Sequence, residues 1–160
     1  MNDVKAWPQV IFPLAEADLP ALAVMAAEAQ IGAWTLSQLV SSWQAGHLIV
    51  GLQWQQQWAG FAVLLPLPDE VELLEIVIAQ SQQRQGWGRY LLTQCETWAI
   101  QQGKGRMLLE VRVGNMPARG LYQSLGYREI GRRRGYYPVP EGGREDGLVL
   151  EKRLLPEEAP

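Results

Sequence analysis

The chain has 160 residues, of which 48% are hydrophobic and 19% are charged, and its formal net charge at pH 7 is -3. This length and composition are ordinary for one globular domain with a real core, and they argue against a mostly disordered chain. The negative charge argues against a protein whose main task is to neutralise nucleic-acid phosphates, so we expect no direct nucleic-acid role.

One cysteine, Cys95, and one histidine, His47, occur in the sequence. A single thiol cannot form an internal disulfide, and these two side chains are too few for a zinc site, so we expect no metal. The most apolar stretch, 19–29, is about half of the roughly 20 residues that a membrane-spanning helix needs. No secretory signal is evident at the N-terminus. These observations predict a cytoplasmic protein that does not cross a membrane.

The first half of the chain predicts one short strand, two helices and three further strands. The short strand is expected at 9–13, and the first helix at 18–29 with Asp18 as its N-cap. Thr35 opens the second helix, because Gln38 follows it at the spacing of a capping box. Runs rich in Val, Ile, Leu and Trp then predict three consecutive antiparallel strands. These runs are 47–54, 58–65 and 71–79.

In the second half, the pattern changes at Gly86, where apolar residues begin to recur every three or four positions until Gly103. This spacing predicts a long amphipathic helix. The strand, turn, helix and strand over 73–113 are expected to form a right-handed crossover, which places the two strands parallel. The remaining predicted elements are strand 106–113, helix 116–124, strand 127–134 and strand 147–154.

Together these elements predict an α/β (α+β) fold with a mixed, mostly antiparallel sheet of about seven strands flanked by about four helices. No internal repeat or flexible linker divides the chain into parts with separate patterns. We therefore expect one domain over 1–155 and a flexible C-terminal tail over 156–160.

The most informative segment lies between an apolar strand and the long helix. Its glycines let backbone N–H groups approach a ligand, and the helix start adds unpaired N–H donors and a positive dipole end. It therefore predicts a phosphate or pyrophosphate site, although a tight turn that binds nothing explains the glycine pair equally well. It lacks the third glycine of a dinucleotide fingerprint and the lysine of a P-loop. The segment reads Gln83-Arg84-Gln85-Gly86-Trp87-Gly88-Arg89.

Three spaced motifs resemble the GNAT superfamily of N-acetyltransferases. They are Gln83-x-x-Gly86-x-Gly88, then Leu109-Glu110-Val111-Arg112 with Asn115, then Leu121-Tyr122-x-x-Leu125-Gly126-Tyr127. The resemblance implies a GNAT-like domain that binds acetyl-CoA and passes its acetyl group directly to an amine, without an acyl-enzyme. The cofactor-binding residues that it implies are Ile76, Val77, Ile78, Arg84, Gln85, Gly86, Trp87, Gly88, Arg89 and Asn115.

The same resemblance implies that Glu110 is the general base and Tyr122 the general acid. Each residue also has a purely structural interpretation. Glu110 would then be a strand glutamate that faces solvent or pairs with Arg112, and Tyr122 a packed core tyrosine. Asn115 would be a helix N-cap, a role that is compatible with a cofactor contact. For Cys95, on the apolar face of the long helix, packing is favoured over a nucleophilic role.

The closing segment resembles one branch of the superfamily, the bacterial ribosomal-protein-alanine N-acetyltransferases. It comprises Arg133-Arg134-Gly135-Tyr136-Tyr137-Pro138 and Gly143-Arg144-Glu145-Asp146. The resemblance covers about 74–154, and the N-terminal half matches loosely. It implies that the acceptor is the N-terminal alanine amine of a ribosomal protein. Five residues of this segment are candidates to line the entry of the acceptor: Tyr136, Tyr137, Arg144, Glu145 and Asp146. The run Arg132–Arg134 has two interpretations, a contact with a phosphate or an acidic partner and a solvated strand edge or loop, of which the second is favoured.

Two alternatives remain open from the sequence. The first keeps acetyl transfer but changes the acceptor to another protein N-terminus or a small-molecule amine, because the N-terminal half matches the branch loosely. The second is a non-catalytic acetyl-CoA-binding sensor, against which the retained Glu110 and Tyr122 argue. Neither the oligomeric state nor the need for a partner protein follows from the sequence.

Overall fold

The computed structural model describes residues 6–30 and 32–156, so most of the predicted tail lies outside the described residues. In this part of the chain, short 3-10 turns at Glu16–Asp18 and Gln80–Gln82 accompany seven strands and four α-helices. In chain order these are β1 Gln9–Ile11, α1 Leu19–Ala29, α2 Leu36–Gln44, β2 Leu48–Trp54, β3 Gln57–Pro66, β4 Glu70–Ile78, α3 Trp87–Gln101, β5 Arg106–Arg112, α4 Met116–Ser124, β6 Arg128–Pro138 and β7 Arg144–Arg153.

The strands follow the order β1-β2-β3-β4-β5-β7-β6. β2 pairs antiparallel with β1 and β3, and β7 pairs antiparallel with β5 and β6. β4 and β5 run parallel, from the pair Glu70 and Arg106 to the pair Leu73 and Leu109. The predicted fold class is therefore confirmed, as is the parallel pair on either side of α3.

The chain packs as two compact units. The first contains the described residues up to 65 together with 75–93, and the second contains 66–74 and the described residues from 94 onward. Both β4 and α3 contribute residues to each unit. The domain bounds of 1–155 stay a prediction. No helix in the described part of the chain is long and apolar enough to span a membrane.

The helices of the first unit begin in two different ways. At α2 the predicted capping box is confirmed: Thr35 Oγ1 accepts the Gln38 N–H at 3.3 Å, and Gln38 Oε1 accepts the Thr35 N–H at 2.9 Å. Asp18 precedes α1, but its side chain does not cap that helix. Its carboxylate instead accepts the Ala15 N–H at 3.0 Å. The physical reason is that Asp18 has helical rather than extended dihedrals, because a 3-10 turn runs directly into α1.

In the second unit, β6 and β7 are longer than their predicted ranges. The pairs Tyr137 with Glu145 and Pro138 with Arg144 extend the ladder beyond an irregularity in β6. Gly135, in that irregularity, has φ +56°, a value that favours glycine. The local glycine and proline signals predicted that β6 ends at residue 134, but pairing with β7 continues the strand to Pro138.

Cys95 belongs to the core rather than to a reactive site. Its side chain is 2% exposed, and burial, with a smaller contribution from the neighbouring Glu96 carboxylate, raises the pKa of the thiol to about 12. Since the thiolate is the nucleophilic form, the protonated and buried thiol is inert at neutral pH. This environment agrees with the predicted packing role.

The capping box predicts the effect of Thr35→Ala. Loss of the threonine oxygen leaves the Gln38 N–H without its side-chain acceptor, so the free energy of unfolding is expected to fall by about 1 kcal/mol. Urea unfolding followed by circular dichroism measures this change. Ser41→Ala, at an exposed position of α2, is the control and is expected to leave stability unchanged or slightly higher. Equal losses in the two variants would contradict the capping role.

The environment of Cys95 predicts that the folded protein resists thiol reagents. With dithiobis(nitrobenzoate) at neutral pH, we expect the native protein to release no thionitrobenzoate. After unfolding in guanidinium we expect release of one equivalent, because only the unfolded state forms accessible thiolate. The absorbance of the released product is the measurement. Reaction of the native protein at the unfolded rate would show that the thiol is accessible.

Candidate active site

In the first unit, the turn before α3 has the backbone shape that its glycines predict. Gly86 has φ +84°, and a Cβ at this position would meet open space in the described structure. Its carbonyl oxygen accepts the Tyr90 N–H at 3.0 Å, which makes Gly86 the residue that opens the helix. Arg84 also has a left-handed φ of +66°. Two left-handed residues thus turn the chain sharply from the end of β4 into α3.

This turn fits an anionic group. The N–H groups of Trp87 and Gly88 lie in the first turn of α3, where an α-helix offers no internal acceptors and carries a positive partial charge. The Trp87 indole is buried beside Trp54, with ring centroids 5.2 Å apart. Its Nε1 has no hydrogen-bond partner within 6–30 and 32–156. A buried donor without a partner is typical of a site in which a bound ligand supplies the acceptor atom.

Gln83 anchors the turn. Its side-chain Nε2 donates to the carbonyl oxygen of Ile78 at 3.1 Å and to that of Ala29 at 3.5 Å. The turn is therefore tied both to the last residue of β4 and to the end of α1. Gln83 belongs to the family motif, but the sequence alone suggests no role for it. The structure identifies it as the residue that positions the turn.

The segment Ile76 to Ile78, which is predicted to bind the cofactor, lies close to the backbone of β3 at Gly60. A Cβ on Gly60 would lie 2.7 Å from the carbonyl oxygen of Val77, so only glycine fits opposite this strand. The Val77 side chain is buried in the core. The Ile76 N–H donates at 3.2 Å to the carboxylate of Glu75 and is therefore already engaged. Contacts of this strand with a cofactor stay a prediction.

Glu75 is a residue that sequence analysis missed. Its carboxylate accepts N–H groups from Trp34 at 3.3 Å, from Gln30 at 3.4 Å and from Ile76 at 3.2 Å. Burial raises the pKa of this carboxyl above its usual value, and the hydrogen bonds offset part of that effect. The available signal was a charged residue inside the otherwise apolar run 73–79. Glu75 joins the end of α1 and the start of α2 to β4.

In the second unit, β5 presents Glu110 on the face opposite its buried neighbours Leu109 and Val111. Its Oε1 accepts the hydroxyl of Tyr137 at 3.0 Å, and its Oε2 lies 3.2 Å from Nε of Arg133. The Glu110 side chain is 21% exposed, so the carboxylate is fixed but accessible.

The alternative pairing of Glu110 with Arg112 is wrong. Arg112 instead donates to Glu145 Oε1 and to the Pro138 carbonyl oxygen, both at 3.2 Å. Its guanidinium also lies 4.3 Å from the ring centroid of Tyr137. Glu110 and Arg112 share one face of β5, but Arg112 lies opposite Gly147 of β7, and its partners Glu145 and Pro138 come from β7 and β6.

Tyr122 and Asn115 lie on α4. Tyr122 is buried, and its ring meets that of Tyr127 edge-on at 5.8 Å. This packing agrees with the structural interpretation, and the acid role stays a prediction. Asn115 Oδ1 accepts the Ala118 N–H at 3.3 Å, so its N-cap role is confirmed. The predicted contact of Asn115 with a cofactor stays a prediction.

The arginine run on β6 divides into different roles. Arg132 pairs with Glu129 at 2.9 Å and with Asp146 at 3.4 Å on an exposed surface, as expected for a solvated strand edge. Arg133 differs because it reaches Glu110. No group of three or more His, Cys, Asp or Glu side chains that could hold a metal ion occurs among the described residues.

The first unit thus brings together the turn and the predicted cofactor strand, and the second carries Glu110, Tyr122 and Asn115. The chain matches the model of the Acetyltransferase (GNAT) family over residues 12–127. It is 34% identical over 140 residues to the ribosomal protein bS18-alanine N-acetyltransferase of Escherichia coli (strain K12), which covers 88% of this chain and 94% of that protein.

Solved structures agree with this match. The crystal structure of the ribosomal-protein-S18-alanine N-acetyltransferase from Escherichia coli has a TM-score of 0.87 and 31% identity, over 96% of this chain and 99% of that chain. A putative acetyltransferase from Salmonella typhimurium, solved with its cofactor acetyl-CoA, has a TM-score of 0.75 and 19% identity over 97% of this chain and 98% of that chain, a likeness of fold alone. The chain belongs to the acetyltransferase (GNAT) family.

Proposed function

We propose that this chain transfers the acetyl group of acetyl-CoA to the N-terminal alanine amine of a ribosomal protein. The observation that carries the proposal is 34% identity to a bS18-alanine N-acetyltransferase across 88% of this chain and 94% of that protein. The turn before α3, with a left-handed Gly86 and the N–H groups of a helix start, supports the cofactor assignment. The fixed and accessible carboxylate of Glu110 supports catalysis rather than sensing.

The residues assigned to acetyl-CoA divide by the chemistry of the groups they would bind. Bound acetyl-CoA would supply an activated acetyl thioester. The N–H groups of Trp87 and Gly88 would bind its pyrophosphate, and the nearby side chains of Arg84 and Arg89 would add positive charge. The backbone of 76–78 would hold the acetyl and pantetheine arm. Gln85 and Asn115 complete the set that the family resemblance implies.

Glu110 would take the proton from the acceptor amine, directly or through a water molecule. A free α-amino group has a pKa of roughly 7.7 to 8.0, so about a tenth or more of it is neutral at pH 7. A lysine side chain, with a pKa of about 10.4, is neutral at pH 7 in only a few molecules in ten thousand. An N-terminal acceptor therefore makes a smaller demand on the base, and an ordinary carboxylate suffices.

Tyr122 would donate its phenolic proton to the departing sulfur. A phenol is a weak acid with a pKa near roughly 10, so it is protonated at neutral pH and available as a donor. The buried ring is fixed against Tyr127, which holds the hydroxyl in one direction. Proton removal at Glu110 and proton delivery at Tyr122 are thus assigned to two separate groups.

Acetylation of a short peptide with a free N-terminal alanine tests the function. We expect mass spectrometry to show one added acetyl group on the α-amine. Glu110→Gln is expected to slow the reaction about 100-fold or more, because a general base contributes on this order. Glu129→Gln is the matched control, since Glu129 also pairs with an arginine but lies on the exposed face of β6.

The acceptors in this experiment discriminate the alternatives. The same peptide with a blocked N-terminus and one internal lysine, and a panel of small amines, are tested in parallel. Modification of the lysine or small amines alone would contradict the proposed acceptor. Tight binding of acetyl-CoA by calorimetry without turnover of any amine would support the sensor interpretation instead.

Gly86→Ala tests the cofactor turn. The variant forces a Cβ into a left-handed conformation, which costs roughly 1–2 kcal/mol of strain, and we expect weaker binding of acetyl-CoA by calorimetry. Gly46→Ala is the matched control, because Gly46 has φ +83° and equally open surroundings but lies at the end of α2. Equal affinities in the two variants would show that the turn does not hold the cofactor.

A further inference from the structure

The two carboxylate oxygens of Glu110 are held from β6, although Glu110 lies on β5 and β7 runs between these strands. Tyr137 donates to one oxygen at 3.0 Å, and Arg133 pairs with the other at 3.2 Å. Both side chains must therefore cross the intervening strand. An arrangement in which each oxygen has its own donor fixes the plane of the carboxylate as well as its position.

Gly147 makes the crossing possible. On β7, Gly147 pairs with Arg112 of β5 on one side and with Arg133 of β6 on the other. A Cβ at Gly147 would overlap Oε1 of Glu110 and lie 2.9 Å from a ring carbon of Tyr137. Any other residue at this position would push the carboxylate and the phenol apart. The contact between β5 and β6 depends on this missing side chain.

The irregularity in β6 brings both donors to the same carboxylate. Arg133 pairs opposite Gly147 and Tyr137 opposite Glu145, so a step of four residues on β6 spans only two on β7. In a regular ladder these two side chains would lie two residue pairs further apart along the strand. The extra residues project away as a bulge at Gly135. The bulge therefore shortens the distance between the donors.

Side chains from β7 hold this bulge and its neighbours in place. Asp146 accepts the Gly135 N–H at 2.9 Å, and Arg144 donates to the Gly135 carbonyl oxygen at 2.5 Å. Glu145 binds Arg112, whose guanidinium covers the ring of Tyr137. These contacts hold the bulge between Arg133 and Tyr137, and they hold Arg112 beside the Tyr137 ring.

The protonation of Tyr137 fits a donor role. Burial, together with the hydrogen bond and negative charge of Glu110, raises the pKa of Tyr137 to about 12, while Arg112 has a smaller opposite effect. At neutral pH the phenol therefore carries its proton. An ionised carboxylate only accepts, so the direction of the hydrogen bond is fixed from Tyr137 to Glu110.

We propose that Tyr137 and Arg133 are positioning residues for Glu110: they hold its carboxylate in place and aimed, and Gly147 leaves the space in which they do so. The inference rests on the proposed base role of Glu110 and deepens it. Each oxygen keeps a lone-pair direction beyond the one its donor uses, so the held carboxylate can still accept the proton of an amine or a water molecule. Tyr137 thus acts through Glu110.

Kinetics of alanine-peptide acetylation test the proposal in Tyr137→Phe, Arg133→Gln and Arg133→Lys. For Tyr137→Phe we expect kcat to fall on the order of tenfold, with the KM for acetyl-CoA within about twofold of the wild type, because only the aim of the base changes. Arg133→Gln is expected to lower kcat by a similar factor, because one carboxylate oxygen loses its partner. Arg133→Lys, which keeps a cation at this position, is expected to restore most of the wild-type kcat.

The control for Arg133→Gln is Arg128→Gln, on the same strand, which removes an arginine that pairs with Glu151 rather than Glu110. It is expected to keep the wild-type kcat. Thermal unfolding of every variant separates positioning from stability. A rise in peptide KM without a change in kcat would overturn the proposal in favour of a direct acceptor contact. Activity that falls only in step with melting temperature would overturn it in favour of a structural role.

A second measurement does not depend on turnover. Carbon NMR of the glutamate carboxyl groups, with the Glu110 resonance assigned by its loss in Glu110→Gln, reports the surroundings of this carboxylate directly. At neutral pH we expect the resonance to move in Tyr137→Phe and in Arg133→Gln, because each change removes the partner of one oxygen. An unchanged resonance in both variants would overturn the proposal. A wild-type protein that acetylates no amine would contradict the proposed function, while the NMR comparison would still decide the role of Tyr137 and Arg133.

Discussion

The parallel pairing of β4 with β5 is the constraint on which the predicted cofactor site depends. Two parallel strands cannot be joined by a tight turn, so the chain leaves β4 after Ile78 and passes through α3 before it returns as β5. The first turn of α3 therefore follows the end of β4 closely, and Gln83 ties the two together. The N–H donors and the helix dipole at Gly86 are consequences of this crossover.

Two carboxylates in the protein are stabilised by different means, and the difference matches their proposed use. Glu75 is half-buried among neutral N–H donors, and burial raises the pKa of its carboxyl. Glu110 has a cation, Arg133, and a protonated phenol, Tyr137, as its two partners. Neutral donors suit a carboxyl that joins helices to a strand. A cation and a directed hydrogen bond suit a carboxylate that must be held in one orientation.

Local sequence signals predicted most of the elements because those signals act over a few residues. The capping box at Thr35, the apolar period of α3 and the N-cap at Asn115 are formed by neighbours three or four positions apart. The two errors have the opposite origin. Asp18 does not cap α1, because the preceding 3-10 turn gives it helical dihedrals. The ends of β6 and β7 depend on pairing between strands rather than on their own glycines and prolines.

The sequence by itself determined the family and the order of elements, and it predicted the backbone anion site, since the motif from Gln83 to Gly88 lies within one turn. Tertiary structure alone decided the partners of Glu110. Tyr137 is 27 positions from Glu110 along the chain, and their contact requires the register of three strands, a bulge in β6 and a glycine at position 147. Arg112, the partner in the structural alternative, pairs with Glu145 instead. Side-chain contacts across an intervening strand follow from register and free space, which sequence spacing does not contain.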